Sequence, residues 1–157
     1  MSDQAAAFDL AVVQEAIGTA GVDAWLFAQF HGRDTTVDLV KGRYVAGEEV
    51  RGFEADKACR EVLVNAGYGD AVQHRTGHSI ISEIHGSGAN LDDFESHDER
   101  LLMRCTCFSV EPGIYLEDDF GVRSEVDVLV PPDGPPEVTG RKQTAMILLL
   151  VDDPQYR

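Results

Sequence analysis

Residues 74–85 read HRTGHSIISEIH and bring together His74, His78 and His85. Two later runs, VEPG at 110–113 and VRSEV at 122–126, each set a glutamate in an apolar, strand-like context. His78 follows Gly77 at the entry to a strand, and Glu111 closes the run CFSVE just ahead of a Pro-Gly turn. Glu125 lies inside GVRSEVDVLV. Alternation there puts it on one face with Arg123 and puts Val122, Ser124, Val126 and Val128 on the other. A carboxylate within an apolar strand is costly unless it is paired or holds a cation, and Arg123 is near enough to pair with Glu125. One imidazole with two carboxylates suits Mn, Co, Fe or Zn; the set is too hard for copper(I) and too nitrogen-rich for calcium. His85, seven residues after His78, is placed to donate a proton or to steady an oxyanion at the edge of such a site.

These residues need a scaffold, and the sequence predicts one in two parts. Apolar residues at helical spacing predict a helix over 8–21, followed by a strand in DAWLFAQF and a turn at His31 and Gly32. Asp34 is positioned to cap a helix running to about Val45, and a second helix is expected from about Phe53 to Ala66, ending at Gly67. Beyond it the period changes. Residues 70–76, 80–85, 105–116 and 121–130 read as strands, separated by polar loops of which GSGANLDDFESHDER at 86–100 is the longest. PPDGPP at 131–136 is a turn, and MILLLV at 146–151 is a short apolar element compatible with either strand or helix. The remaining histidines, His31 and His97, are expected to be solvated.

Composition narrows the function. A chain of 157 residues, 43% hydrophobic, suits one folded domain with a real core. With 28 acidic against 13 basic residues and a formal charge of −15, its surface repels phosphate backbones and anionic lipid, so neither nucleic acid nor membrane is an expected partner. Three cysteines, Cys59, Cys105 and Cys107, do not make a disulfide framework, and the Cys105–Cys107 pair is expected on one side of a strand. No leader-like or membrane-spanning apolar stretch is seen in the sequence, which sets a cytoplasmic location as the expectation.

The blocks HRTGHSI, EIHG, FSVEPGIYL and FGVRSEVDVLV, in this order, resemble the M24 metallopeptidase family, which includes Xaa-Pro aminopeptidases, prolidases, methionine aminopeptidases and creatinase. The resemblance runs from about Arg33 to the C-terminus. It implies an α+β fold: about half of a pita-bread domain, a curved antiparallel sheet with two helices packed on one face. It makes His78 and Glu111 metal ligands and Glu125 the ligand that bridges two metals. It sets His74 and His85 along the substrate site and Arg123 beside the bridging glutamate.

Two departures temper the implied activity. The family's two aspartate ligands lie on a strand hairpin followed by a Thr-Arg block, and no such block is found here. Residues 1–32 instead resemble the opening of the separate N-terminal domain of larger Xaa-Pro peptidases, so the expected organisation is one truncated domain, with 1–32 a remnant and 33–157 the C-terminal part of the pita-bread domain. Asp23 and Asp34, eleven residues apart, are the alternative source of the missing carboxylates. The second departure is Ile81, which stands where the family carries glycine, a residue that allows close backbone approach. The expectation is therefore a catalytically impaired peptidase relative holding no metal or one weakly bound Mn, Co or Zn ion. It would form a homodimer in which a second copy supplies the missing half, with a short peptide as a possible ligand. The alternatives are a minimal Xaa-Pro-type metallopeptidase and a structural remnant that pairs with a longer relative.

Overall fold

The computed structural model describes residues 31–140. The helix expected over 8–21, the strand in DAWLFAQF, Asp23 and the MILLLV element lie outside the described residues. Two helices come first, α1 (His31–Ala46) and α2 (Gly52–Asn65), followed by a short 3-10 turn at Gly69–Ala71. Six strands follow: β1 (Ser79–Ile80), β2 (Thr106–Val110), β3 (Gly113–Tyr115), β4 (Gly121–Arg123), β5 (Val126–Val130) and β6 (Glu137–Val138). All pairings are antiparallel. A four-stranded sheet has the order β1-β2-β5-β6, and β3 and β4 form a two-stranded ribbon.

Both helices pack on one face of the larger sheet. Val37 and Val40 of α1 and Ala55 of α2 meet Phe108, Val110, Val126, Val128 and Val130 in the main core. The strand residues are alternate positions of β2 and β5, the inward half of a period-2 pattern. Helix α2 buries Gly52, Ala55, Asp56, Cys59 and Leu63, a stripe at helical spacing. Gly52 permits the loop over 86–100 to approach, because a Cβ there would sit 1.9 Å from the Asn90 carbonyl oxygen.

Several sequence expectations shift. The helix expected from Asp34 already begins at His31, so Asp34 is an acidic first-turn residue rather than the cap, and His31 is helical rather than in a turn. An acid there still suits the helix's positive end. Residues 72–76 form no strand. Their backbone is drawn to α2 instead, with the Thr76 N–H donating to Asp56 Oδ1 at 2.8 Å. The strand expected over 80–85 is cut to Ser79–Ile80 because Gly86 N–H turns back to donate to the Ser79 carbonyl at 2.6 Å, closing residues 81–85 into a loop. Cys105 lies before β2, exposed and with φ +62°, so it does not share a strand face with Cys107. Strand β6 was not anticipated. It returns after the proline-rich turn and pairs Val138 with Val128.

Candidate functional site

The long segments expected as strands, 105–116 and 121–130, are each broken once, and the breaks face each other. Val110 pairs with Val126 on one side and Gly113 with Arg123 on the other. The same register spans both ladders, so Glu111 lies directly opposite Glu125 and Pro112 opposite Ser124. Pro112 has no N–H to offer the ladder, but its carbonyl accepts from Ser124 N–H at 3.1 Å. Two like charges opposite each other destabilise an antiparallel pair. The sequence meets this with Arg123, whose guanidinium bridges them: Nη1 is 3.3 Å from Glu111 Oε2 and Nη2 3.3 Å from Glu125 Oε2.

His78 reaches the same place from the edge of the sheet. A Cβ on Gly77 would lie 1.9 Å from the Ser109 carbonyl oxygen, so only glycine lets this segment close on β2. Ser109 N–H then donates to the His78 carbonyl at 2.8 Å, and His78 N–H donates to Ser109 Oγ at 2.9 Å. The imidazole is 8% exposed as a residue. Its Nδ1 is 3.1 Å from the Ser79 carbonyl, which fixes Nδ1 as a donor, and its Nε2 points at Glu111 Oε1 from 3.2 Å. With Nδ1 donating, that contact is attractive only when a proton or another cation sits between nitrogen and carboxylate. Ser109 Oγ–H donates to the same Glu111 oxygen at 3.0 Å. His85, at the end of the 81–85 loop, lays its ring on His78 with centroids 4.3 Å apart.

The structure thus gathers His78, His85, Glu111, Arg123 and Glu125 into one cluster. His74 sits beside Gly113, at the end of the β3–β4 ribbon that adjoins the cluster, where Tyr115 O–H donates to Nε2 at 2.7 Å while Nδ1 donates to the Arg75 carbonyl at 2.7 Å. Both ring nitrogens are engaged, and His74 holds the ribbon by way of Tyr115. Three residues of the cluster were not singled out from the sequence: Ser109, Tyr115 and Asp127. Each was findable by period 2, since Ser109 and Tyr115 alternate with Glu111, and Asp127 alternates with Glu125.

The electrostatics of the cluster are those of excess negative charge. Burial pushes the Glu125 carboxyl above the usual carboxylate range, and the facing Glu111 pushes it further, against the pull of Arg123. Asp127, opposite Ser109 in the register, is likewise raised, first by burial and then by Glu111, with His78 opposing. As arranged, the residues do not fit a metal cage. Among the described residues no three His, Cys, Asp or Glu side chains converge closely enough to hold an ion, and Arg123 already supplies the positive charge between the two glutamates. Asp34, the alternative ligand within the described residues, lies in the first turn of α1 rather than on a hairpin.

Comparison with known proteins identifies the family. The profile of metallopeptidase family M24 matches residues 34–132. An uncharacterized peptidase of Staphylococcus haemolyticus is 38% identical over 81 residues, which is 52% of this chain and 22% of that protein. A Xaa-Pro dipeptidase of Lactobacillus delbrueckii is 36% identical over the same length, 52% of this chain and 21% of that protein. Among solved structures, a Xaa-Pro dipeptidase from Bacillus anthracis superposes with a TM-score of 0.59 and 32% identity over 71% of this chain and 29% of its own. The chain therefore spans about a fifth to under a third of the length of these relatives.

Proposed function

The chain belongs to metallopeptidase family M24 and carries part of the family's α+β pita-bread fold, and from this premise we propose that by itself it binds short peptides without hydrolysing them. The observation that supports this reading is the Glu111–Arg123–Glu125 bridge. Two directly opposed carboxylates call for a cation, and a guanidinium meets that need with no bond to give up to a nucleophilic water. Hydrolysis by a metallopeptidase needs an ion that lowers the pKa of water and clamps the transition state. Here His78 and Glu111 converge, while Glu125 is held by Arg123.

Such a cluster still has work to do as a recognition site. Glu125, which is exposed, and Asp127, which is partly buried, both have raised proton affinity, and a positively charged group brought to them is favoured. The free amine of a peptide is such a group. In this reading the chain is a homodimer in which a second copy meets β6, whose outer side is unpaired in the four-stranded sheet of the described residues; the outer side of β1 is already met by Gly86 N–H and the Asn90 side chain.

A second reading has a specific observation in its favour. Relatives at 36% identity are named Xaa-Pro dipeptidases, and the matched span includes every residue of the cluster. The chain would then be a metal-dependent dipeptidase whose remaining ligands come from elsewhere than the described residues. One experiment separates the two: incubate the full chain with Leu-Pro and Mn, and follow both binding and free proline. Binding without proline release supports the first reading. Proline release that is lost in Glu111→Gln supports the second.

A further inference from the structure

Glu111 keeps its place through a backbone bond that leads away from the sheet. The N–H groups of Ser109 and Glu111 both point to the β1 side of β2. Ser109 N–H meets the His78 carbonyl, and Glu111 N–H meets the Thr76 carbonyl at 2.7 Å. The next residue, Pro112, has no N–H to add. Thr76 lies outside β1, and its own N–H is not spent on the sheet. It donates to Asp56 Oδ1 at 2.8 Å. Thr76 is thus hung between Glu111 on one side and a carboxylate of α2 on the other.

Asp56 is built for this hold. It is 2% exposed on the inner stripe of α2. Its second oxygen accepts from Asp93 N–H at 2.9 Å and pairs with Arg60, one helical turn on. A buried carboxylate is tolerated only when its oxygens are met. Here each oxygen holds a different segment: Oδ1 the one that enters the site at Thr76, Oδ2 the loop over 86–100. Packing does not hold the turn after Glu111 instead. A cavity of about 10 Å³, room for a single water, lies among Asp56, Arg60, Thr76, Pro112 and Gly113.

We propose that Asp56 is a positioning residue of the site: through Thr76 it sets the backbone of Glu111, and with it where the Glu111 carboxylate stands opposite Glu125. Its consequence for a ligand rests on the peptide-binding reading above. Its structural part rests on the hydrogen bonds alone. Asp56 touches no ligand, so a change there reaches the site only by moving Glu111. A buried carboxylate that served stability alone would spread its effect over the whole fold.

The test is Asp56→Asn, which keeps the shape and offers one oxygen in place of two. The Arg60 guanidinium and the Asp93 N–H draw that oxygen, which leaves Thr76 N–H against an NH2 group. In amide NMR spectra of the full 157-residue chain, Thr76 and Glu111 should shift and lose protection from exchange while the amides of β5 keep theirs. Leu-Pro should bind about tenfold more weakly. Two comparison variants separate positioning from stability. Arg60→Gln removes the ion pair but leaves both N–H bonds to Asp56, and Val130→Ala opens the core at the end of β5 away from Glu125. Both should lower the midpoint of urea unfolding and leave Leu-Pro affinity within about twofold. Unmoved Thr76 and Glu111 amides in Asp56→Asn, or an equal loss of affinity in all three variants, would overturn the positioning role. Should Asp56→Asn not fold, the parent chain decides: Thr76 and Glu111 amides protected like those of β5 support the role, and amides exchanging as in an unstructured peptide overturn it. Failure of the parent chain to bind Leu-Pro would overturn the peptide-binding reading, while the amide shifts still decide what places Glu111.

Discussion

The chain holds two sets of carboxylates, one buried in a loop and one on the site face, and it treats them in opposite ways. In the loop over 86–100, Asp92 is fully buried and Asp98 nearly so. Burial alone would raise the Asp92 carboxyl, but the N–H groups of Phe94, Ser96 and Glu95 and the Ser96 hydroxyl outweigh it and hold it below the usual range. Asp98 is lowered in the same way: burial opposes, and Arg100 with the Asn90 N–H prevails. On the site face, Glu125 and Asp127 are less buried, yet both are raised, first by burial and then by Glu111, because no set of donors offsets the two. The lesson is that burial does not decide the proton affinity of an acid; the donors brought to it do. Carboxylates satisfied by backbone N–H groups are structural. Carboxylates left short of positive charge are where we propose that the peptide amine binds.

The largest break in this comparison is expected where the two regions meet. Gly77 bridges to Leu91 of the loop and lies against Ser109 of the site. Gly77→Ala pushes a Cβ into a backbone oxygen and should cost about 3 kcal/mol or more, read as a lowered midpoint in urea unfolding. Asp92→Ala comes next. It removes the acceptor of the Phe94 and Glu95 N–H groups and of the Ser96 hydroxyl at the partly buried turn, and should cost about 1–3 kcal/mol by the same assay. Arg123→Leu leaves Glu111 and Glu125 facing without a cation, at a cost of about 1 kcal/mol because the arginine is half exposed. The smallest effect has the opposite sign: Asp127→Asn should stabilise by less than about 1 kcal/mol, because it removes a charge the fold disfavours.

The pH dependence sharpens the same contrast. Asp92 and Asp98 have folded pKa values below their unfolded ones, so their stabilisation is fully present above the unfolded value of about 3.9 and is lost as pH falls through the folded values. Glu125 and Asp127 have folded values above their unfolded ones. Their ionised forms cost stability at neutral pH, and this cost is relieved as pH falls through the raised values toward about 4. Unfolding curves should therefore show a gain in stability on mild acidification that is reduced in Asp127→Asn, and a loss below pH ~4 that is reduced in Asp92→Asn.

How much of this was legible in the sequence depends on the range of the interaction. The second helix and the position of Gly67 beyond it followed from local spacing. The facing of Arg123 with Glu125 and the inward set Val122, Ser124, Val126 and Val128 followed from strand alternation, and all four are buried. The family and its partial α+β fold followed from the four blocks. What escaped were effects set by distant partners. Residues 72–76 lost their strand to Asp56 on α2. The loop over 86–100 read only as polar, and nothing local marked Asp92 and Asp98 as its buried interior; His97 in the same loop stays exposed as expected, paired with Asp93 at 2.6 Å. The opposition of Glu111 to Glu125 needed the register, which periodicity within one strand does not give.

The most direct test of the account is hydrolysis of Leu-Pro by the full chain with added Mn, alongside Glu111→Gln. The account predicts that the peptide binds and that proline release in the parent chain does not exceed that of the variant. Metal-dependent release in the parent chain that disappears in Glu111→Gln would contradict it, and would mean that Arg123 yields its place between the glutamates to an ion.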